Sequence, residues 1–292
     1  MNLKVTPTRS CDCGSDPTRA VARICVLTRA PQPGRSGPAS APYEIGRNNA
    51  LAEELTRRGH QVTMWWDEPL GNYVGDPPDL VVVRAGVPVN WERARAFRDQ
   101  GILVVSDPDA HERASDKWWA AAIFERADIA HPATWLARGP VGLDEVVLKP
   151  RRGSGGHGVR KIPGKEVPED SSLVVQSVVN WSDDLRALVV GGEVLHWMRR
   201  RPQNGEFRSN IAQGAVITTA REVPGEAQEL ALAAARACEL DMCGVDLLHG
   251  DGGWLVLEAN PGTTLFGVSR EEGRENVARV ASYLEGRLRT RE

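Results

Sequence analysis

Two acidic residues and an asparagine in the last quarter of the chain have the types and spacing of a metal site. Asp246 lies inside one short apolar stretch, and Glu258 and Asn260 end a second one. Residues 250–253, Gly-Asp-Gly-Gly, separate the two stretches as a turn signal, so we expect a hairpin of two neighbouring strands. Residues two apart on a strand share a face, which places Glu258 and Asn260 together near Asp246. Three converging oxygen ligands predict a site for a hard cation such as Mg²⁺.

The alternative for these residues is a surface hairpin with ordinary polar side chains. Aspartate and glutamate inside otherwise apolar strands cost free energy unless they have a partner. The metal site is therefore the interpretation that we carry forward.

A glycine-rich segment, residues 151–159, follows an apolar stretch that ends at Lys149 and Pro150. Four of its glycines fall within six residues, so the backbone can approach a ligand closely and its amides can cradle phosphate oxygens. It is not a Walker loop, because no Gly-Lys-Ser/Thr follows and no helix pattern opens after it. Residues 159–162 instead have the pattern of a strand, which predicts a hairpin flap over a nucleotide. A simple turn is the alternative for such a segment taken alone.

Lysine is scarce in this chain. Of the 36 Lys and Arg residues only five are lysines, so 31 are arginines. A lysine that is kept against this bias suggests a need for a compact charge with rotatable donors, the usual partner of a phosphate. Lys149 lies beside the flap and Lys117 begins a helical stretch that runs to Arg126, so both are candidates. Lys161 and Lys165 are expected to be solvated.

Seven segments, in order over about 150 residues, resemble the ATP-grasp superfamily and, within it, the RimK-like branch of carboxylate–amine ligases. The resemblance covers roughly residues 106–267. Its segments are Asp116-Lys117, Leu148-Lys149-Pro150, the flap at 153–159, Val174-Val175-Gln176, the strand at 184–192, Phe207-Arg208-Ser209-Asn210, and Gly244-Val245-Asp246 with Leu257-Glu258-Ala259-Asn260. Two departures are residues 261–266, where a Ser-Pro run is more usual, and a long proline-rich N-terminal segment.

The resemblance implies the ATP-grasp fold of the α/β class, with a parallel N-terminal α/β domain and two lobes that sandwich ATP. It implies that ATP phosphorylates a carboxylate and that an amine attacks the acyl phosphate to form an amide. Arg186 and Arg208 would stabilise the transferred phosphoryl group and the tetrahedral oxyanion. Glu258 would bridge two Mg²⁺ ions, with Asp246 on one and Asn260 on the other, and Mn²⁺ could substitute.

The resemblance also implies a set of ATP-binding residues. Lys117 and Lys149 would bind the α- and β-phosphates, and a hinge at 176–178 would read the adenine edge. The full set is Lys117, Lys149, Gly153, Ser154, Gly155, Gly156, His157, Gln176, Ser177, Val178 and Asn210. For His157, solvent-facing polarity is the other interpretation. Residues 207–211 have a strand pattern, which would turn Arg208 and Asn210 into the ATP cleft together.

Composition excludes several classes of protein. At 292 residues and 41% hydrophobic the chain can bury a core. A net charge of −3 gives no indication of nucleic-acid binding, and no apolar run has the length of a membrane span. Five scattered cysteines and no signal peptide predict a cytoplasmic protein. Cys11 and Cys13 lack the two further ligands that a metal site needs nearby.

The chain order predicts a leader and three lobes. Residues 1–20 form a leader that we expect to be disordered, and residues 21–107 alternate strands and helices as a small parallel sheet does. Residues 108–176 form a central lobe with the flap, and residues 177–292 a C-terminal lobe with the metal site. The proline-rich loop at 31–42 follows the first strand, where α/β sheets bind ligands, so we expect it to contact substrate.

Several functions remain open from the sequence. An ATP-dependent ligase and a kinase on the same scaffold share the phosphate site, and the Phe207-Arg208-Ser209-Asn210 match favours the ligase. A nucleotide-binding protein without catalysis is a weaker alternative. The carboxylate and the amine would be small molecules, such as an amino acid or a peptide-like metabolite, and the reaction could close a ring within one molecule. A protein or carrier-protein tail is the other substrate class. The chain could assemble as a homodimer or a homotetramer.

Overall fold

The computed structural model describes residues 21–30, 41–67, 73, 75–203, 205–210, 214–263, 265 and 268–290, without the side chains of 41–48. The predicted leader with Cys11 and Cys13, and the loop residues 31–40, lie outside this part of the chain. The chain divides into two compact units, one of residues 1–109 with 264–292 and one of residues 110–263. The predicted leader and three lobes stay a prediction.

The first unit is built on a four-stranded parallel sheet in the order β2-β1-β3-β4. Its elements are β1 (Arg23–Thr28), α1 (Ala41–Arg57), β2 (Gln61–Trp66), β3 (Leu80–Val83), α2 (Pro88–Asp99) and β4 (Leu103–Val105). This is the strand–helix alternation predicted from the apolar pattern. Helix α2 begins at Pro88, and a proline suits the first helical turn because the N–H that it lacks would have no partner there.

The elements from residue 108 to 260 include two antiparallel sheets, in the orders β5-β8-β6-β7 and β11-β10-β9-β12-β13. They are α3 (Pro108–Ala114), α4 (Lys117–Arg126), β5 (Thr134–Arg138), β6 (Glu145–Pro150), β7 (Arg160–Pro163), β8 (Glu169–Ser177), β9 (Trp181–Val190), β10 (Glu193–Arg201), β11 (Val216–Thr219), α5 (Gly225–Ala237), β12 (Met242–Gly250) and β13 (Gly253–Asn260). The predicted metal hairpin is β12–β13, and the predicted flap joins β6 to β7.

Helix α5 covers one face of the five-stranded sheet. Its buried alanines, among them Ala227, Ala231 and Ala234, form one core cluster with inward residues of the strands such as Leu185 and Val245. The small alanine side chain lets a helix lie close to a sheet. Because side chains alternate along a strand, the neighbours of these inward residues point to the opposite face of the sheet. That opposite face carries the polar side chains described below.

The last helix, α6 (Arg270–Arg289), groups with the first unit. A capping box between Ser269 and Glu272 begins it. Its Glu285 accepts a hydrogen bond from Nη1 of Arg58 at 3.0 Å and pairs with His60 at 3.1 Å. In the part of the chain that the structure describes, no helix is both long and apolar enough to cross a membrane.

Candidate active site

Four strands contribute polar side chains to the face of the five-stranded sheet that lies opposite α5. On β9, Leu185 faces the core while Asp184 and Arg186 face the other way. On β12, Asp246 lies opposite Arg186 of β9 on one side and opposite Glu258 of β13 on the other. Strand register therefore brings residues that are far apart in the sequence into one cluster.

Asp246 is the buried centre of this cluster, with 1% of its surface exposed. Arg186 donates to both of its oxygens, from Nε at 2.5 Å and from Nη2 at 2.6 Å. Nη1 of Arg200 lies 3.2 Å from Oδ2. Burial alone would raise the pKa of Asp246, but the two guanidinium groups outweigh burial and lower the pKa to about 2. The carboxylate is therefore ionised throughout the physiological pH range.

Asp184 and Arg200 form a second buried pair, with 0% and 2% of their surfaces exposed. Nε of Arg200 donates to Asp184 at 2.6 Å, and the hydroxyl of Ser209 donates to the other oxygen of Asp184. Burial raises the pKa of Asp184 to about 6, Arg200 opposes this, and Asp246 adds to it. For Arg200, the charges of Asp246 and Asp184 outweigh burial and raise the pKa. The pair ties the 205–210 segment to the sheet and to Asp246.

Glu258 and Asn260 lie beside Asp246, as the hairpin predicts. Nδ2 of Asn260 donates to Glu258 at 2.9 Å and lies 3.5 Å from Asp246. Nζ of Lys117 lies 3.9 Å from the other oxygen of Glu258. The described residues contain no group of three or more His, Cys, Asp or Glu side chains placed to hold a metal. Two carboxylates and an amide are nevertheless the oxygen donors that Mg²⁺ prefers, so the residues fit this ion.

Lys149 is placed by two neutral side chains. Its ammonium donates to Oε1 of Gln176 at 2.5 Å, and Gln176 donates in turn to Thr134 at 2.9 Å. Burial lowers the pKa of Lys149 to about 8, with Glu258 opposing and Lys117 reinforcing this effect. Since its partner carries no negative charge, the charge of Lys149 remains available to an anion.

The flap is held in a shape that only glycine adopts without strain. Gly155, Gly156 and Gly158 have φ near +70°. A Cβ on Gly158 would lie 2.9 Å from Cγ of Pro150, so a larger residue would also displace the end of β6. Nζ of Lys117 donates to the carbonyl of Gly153 at 2.8 Å, which joins the start of α4 to the flap.

The predicted strand at 207–211 is wrong for residues 207–210, which form no ladder, and Ile211 lies outside the described residues. The carboxylate of Glu206 accepts from the backbone N–H groups of Phe207 and Arg208, so these amides bond locally and not to a neighbouring strand. Arg208 also bonds to Glu206 through its side chain and donates from Nη1 to the carbonyl of Gly156 at 3.0 Å. The segment thus reaches the flap without being a strand.

One pocket collects nearly all of the predicted residues. Those that line it are Lys117, Lys149, Gly153, Ser154, Gly155, Gly156, His157, Gln176, Ser177, Val178, Arg208, Asn210, Asp246 and Glu258. Arg186 and Asn260 are not among its lining residues, but both contact ones that are.

Asp184, Arg200, Ser209 and Trp181 also line the pocket and were missed from the sequence. One signal for Asp184 was available, since it lies two residues before Arg186 on a strand and so shares its face. Arg200 offered none, because its place depends on the pairing of β9 with β10. In an arginine-rich strand, sequence alone does not tell the buried arginine from its exposed neighbours.

Comparison with known sequences finds a family match over the part of the chain that contains most of this pocket. Residues 165–284 match the family model described as the RimK-like ATP-grasp domain. The ribosomal protein bS6–L-glutamate ligase of Escherichia coli O7:K1 is 29% identical over 273 residues, which cover 80% of this chain and 90% of the relative. The probable alpha-L-glutamate ligase of Thioalkalivibrio sulfidiphilus is 29% identical over 234 residues, with 72% and 77% covered.

Solved structures of similar fold include several ATP-grasp proteins. The ATP-grasp ligase PsnB complexed with minimal precursor, Mg and ADP has a TM-score of 0.62 at 19% identity, covering 91% of this chain and 97% of that one. D-alanine–D-alanine ligase from Bacillus anthracis complexed with ATP has a TM-score of 0.63 at 15% identity, with 91% and 99% covered. A RimK domain ATP-grasp protein from Sphaerobacter thermophilus has a TM-score of 0.65 at 16% identity, with 90% and 99% covered. At these identities the likeness shows the fold.

Proposed function

Since this chain carries a RimK-like ATP-grasp domain and is an ATP-dependent carboxylate–amine ligase, we propose that it works through an acyl phosphate. A carboxylate oxygen of the substrate attacks the γ-phosphorus of ATP, the bond to the β-bridging oxygen breaks, and ADP leaves. The amine then attacks the acyl carbon, a C–N bond forms, and phosphate leaves as the nitrogen loses a proton. The products are an amide, ADP and inorganic phosphate.

The observation that carries this proposal is the convergence of two sets of side chains on one pocket. Two lysines and a glycine-rich flap, which suit phosphate oxygens, line the same pocket as Asp246 and Glu258, which suit a cation. Phosphoryl transfer requires little covalent help from a protein and depends on positioning and on neutralising charge as it moves. This pocket offers both.

The nucleotide would be held along the length of the pocket. Lys117 and Lys149 bind the α- and β-phosphates, and the flap amides from Gly153 to His157 cover them. The adenine would bind to backbone groups of Gln176, Ser177 and Val178. The side chain of Gln176 already forms hydrogen bonds with Lys149 and Thr134. Asn210 lies in the same pocket on the segment that carries Arg208.

Two arginines would act on the transferred group. Arg208 lies where a guanidinium can bind the γ-phosphoryl oxygens in a fork, beside the flap carbonyl that it already contacts. Arg186 lies behind Asp246 and becomes available to the same oxygens when it leaves that carboxylate. Both would also stabilise the oxyanion that forms when the amine adds.

Enzymes of this class use ATP and Mg²⁺, and the residues that would hold the ion here are Asp246, Glu258 and Asn260. We propose that two ions would be held here, with Glu258 as the residue common to both and Mn²⁺ as a substitute. When bound, they neutralise charge on the β- and γ-phosphates during transfer.

For the substrates, we propose an amino acid or a small peptide-like metabolite as the source of the carboxylate or the amine, with ring closure within one molecule as a variant. Two named proteins favour a larger partner instead. One curated relative is named a ribosomal protein bS6–L-glutamate ligase, and PsnB was solved with a precursor peptide. A peptide or protein tail is therefore the second substrate class to test.

We also propose a compartment and an assembly for this protein. The enzyme works in the reducing cytoplasm, where the buried thiols of Cys25, Cys238 and Cys243 stay reduced. It acts on soluble substrates and forms a homodimer or a homotetramer. Light scattering of the purified chain measures the assembly directly.

Hydroxylamine trapping tests the proposed reaction. The protein is incubated with ATP, Mg²⁺ and pooled amino acids or peptides, with and without hydroxylamine. An acyl phosphate gives a hydroxamate together with ADP. ADP without any hydroxamate, and with a stable phosphorylated product, would instead identify a kinase on the same scaffold.

A further inference from the structure

Arg186 occupies the oxygens that a cation would need. Its guanidinium binds Asp246 through two hydrogen bonds, at 2.5 and 2.6 Å, so each oxygen of the carboxylate accepts one. Arg200 approaches Oδ2 from β10 at 3.2 Å and Asn260 from β13 at 3.5 Å. A divalent ion that binds Asp246 must share the carboxylate with the positive charge of Arg186, and it binds more tightly when the fork withdraws.

The surroundings of Asp246 also oppose a bare cation. The described residues that line the pocket include five lysines and arginines and three carboxylates. The basic residues are Lys117, Lys149, Lys161, Arg200 and Arg208, and the acidic residues are Asp184, Asp246 and Glu258. Just outside the lining, Glu206 pairs with Arg208, Glu145 pairs with Lys161, and Arg186 binds Asp246, so six basic groups face five acidic ones. Such a pocket repels a dication and attracts a polyphosphate, which carries more negative charge than the excess.

We infer that Arg186 makes the site selective for a cation that arrives with a nucleotide and excludes the cation alone. The guanidinium competes with the metal for Asp246, and the nucleotide phosphates decide this competition by giving Arg186 another anion to bind. The inference rests on the proposed function, because it takes Asp246 as a metal ligand and the pocket as the nucleotide site.

This arrangement couples the two ligands thermodynamically. If the nucleotide raises the affinity for the metal by some factor, the metal raises the affinity for the nucleotide by the same factor, because one coupling free energy describes both effects. Arg186 is then a specificity-determining residue, and removing its charge reduces the coupling factor itself. A residue that only supports the fold would lower both affinities and leave their coupling unchanged.

Mn²⁺ binding, measured by electron paramagnetic resonance on the wild-type chain with and without ADP, measures the coupling that the inference requires, and the variants below test whether Arg186 is its source. We expect Mn²⁺ affinity at least about tenfold higher with saturating ADP than without nucleotide. Equal Mn²⁺ affinity in the two conditions overturns the inference and leaves the proposed function standing. No Mn²⁺ binding even with ADP overturns both.

Three variants separate charge from structure, with thermal unfolding recorded for each. Arg186→Gln keeps a donor to Asp246 and loses the charge, so Mn²⁺ affinity without nucleotide should rise at least about tenfold and the ADP coupling should shrink. Arg186→Lys keeps the charge but loses the fork, so both values should lie between those of the wild type and of Arg186→Gln. Arg199→Gln, which breaks a pair with Asp183 away from the pocket, is the matched control and should change neither value. Unchanged coupling in a folded Arg186→Gln protein contradicts the inference.

Discussion

At the scale of single residues, the buried charges of this site depend on one another. Asp184, Asp246 and Arg200 are each almost fully buried, and each finds its counter-charge among the others or in Arg186. Removing one partner of a buried ion pair leaves the other charge unpaired in the protein interior, which lowers the free energy of unfolding by about 3–5 kcal/mol. Tests of catalysis are therefore cleaner at the less buried Glu258 and Arg208.

Replacing Glu258 by Gln should abolish turnover and leave the fold intact. Glutamine keeps an acceptor for Asn260 but loses the charge that would hold the cation, and charge stabilisation of this kind contributes several kcal/mol, or at least about a hundredfold in kcat. Asp251→Asn, an exposed carboxylate in the turn of the same hairpin, is the control. Retention of more than about a tenth of the wild-type rate would rule Glu258 out as a shared ligand.

Arg208→Lys should lower kcat and leave the KM for ATP little changed. Lysine keeps the positive charge but cannot bind the γ-phosphoryl oxygens in a fork, so the loss falls on the transition state. A loss of about 10–100-fold corresponds to about 1.4–2.8 kcal/mol. Arg201→Lys, at an exposed position on β10, should be silent in the same steady-state assay. An unchanged kcat in Arg208→Lys would remove this residue from the site.

Lys149 should give nucleotide binding a pH dependence. Burial lowers its pKa to about 8, well below the usual value for lysine, so the free protein carries this charge below pH 8 and loses it above. A bound phosphate favours the charged form, and ADP affinity should therefore fall as the pH rises through 8, by about tenfold between pH 7 and 9.

Calorimetric titration of ADP at several pH values measures this effect. Lys149→Arg keeps its charge across the range and serves as the control, so its ADP affinity should be nearly flat. A wild-type profile as flat as that of Lys149→Arg would show that Lys149 does not contact the phosphates.

At the scale of secondary-structure elements, the flap is the part that we expect to respond to nucleotide. Amide hydrogen exchange of residues 153–158 should slow when ADP and Mg²⁺ bind, because the flap amides then donate to phosphate oxygens. Gly158→Ala should weaken ADP binding, since it forces a positive φ and a contact with Pro150. Gly139→Ala is the matched control, with a positive φ and open space around its Cβ. Identical exchange in the two states would contradict a phosphate-binding flap.

The sequence predicted well those elements that short-range signals determine, such as turn residues and helix caps. It did not predict features that depend on contacts with other segments of the chain. The β12–β13 hairpin and the start of α4 at Lys117 follow from a turn signal and from the N-cap residue Asp116. The strand expected at 207–211 failed because a single carboxylate, Glu206, captures the backbone amides there. Arg200 could not be found from the sequence, because only the register of β9 with β10 brings it to this face, whereas the spacing of Asp184 from Arg186 was an available signal.

At the scale of the whole molecule, the charge of the pocket lining is opposite in sign to the net charge of the chain. The chain carries a net charge of −3, yet the pocket in the second unit has more basic than acidic side chains in its described lining. A basic concave site on an acidic protein concentrates polyphosphate locally, against the net charge of the chain. This contrast was not predictable from composition, because it depends on which arginines the sheet turns toward one face.

Transfer of oxygen from carboxylate to phosphate tests the central claim most directly. Amino acids or peptides labelled with ¹⁸O in the carboxyl group are incubated with the protein, ATP and Mg²⁺, and the inorganic phosphate is analysed by mass spectrometry. If the carboxylate attacks the γ-phosphorus and the acyl phosphate later loses phosphate to an amine, each phosphate released with ADP carries one ¹⁸O atom. Unlabelled phosphate, or a phosphorylated product with no phosphate released, would contradict the ligase reaction.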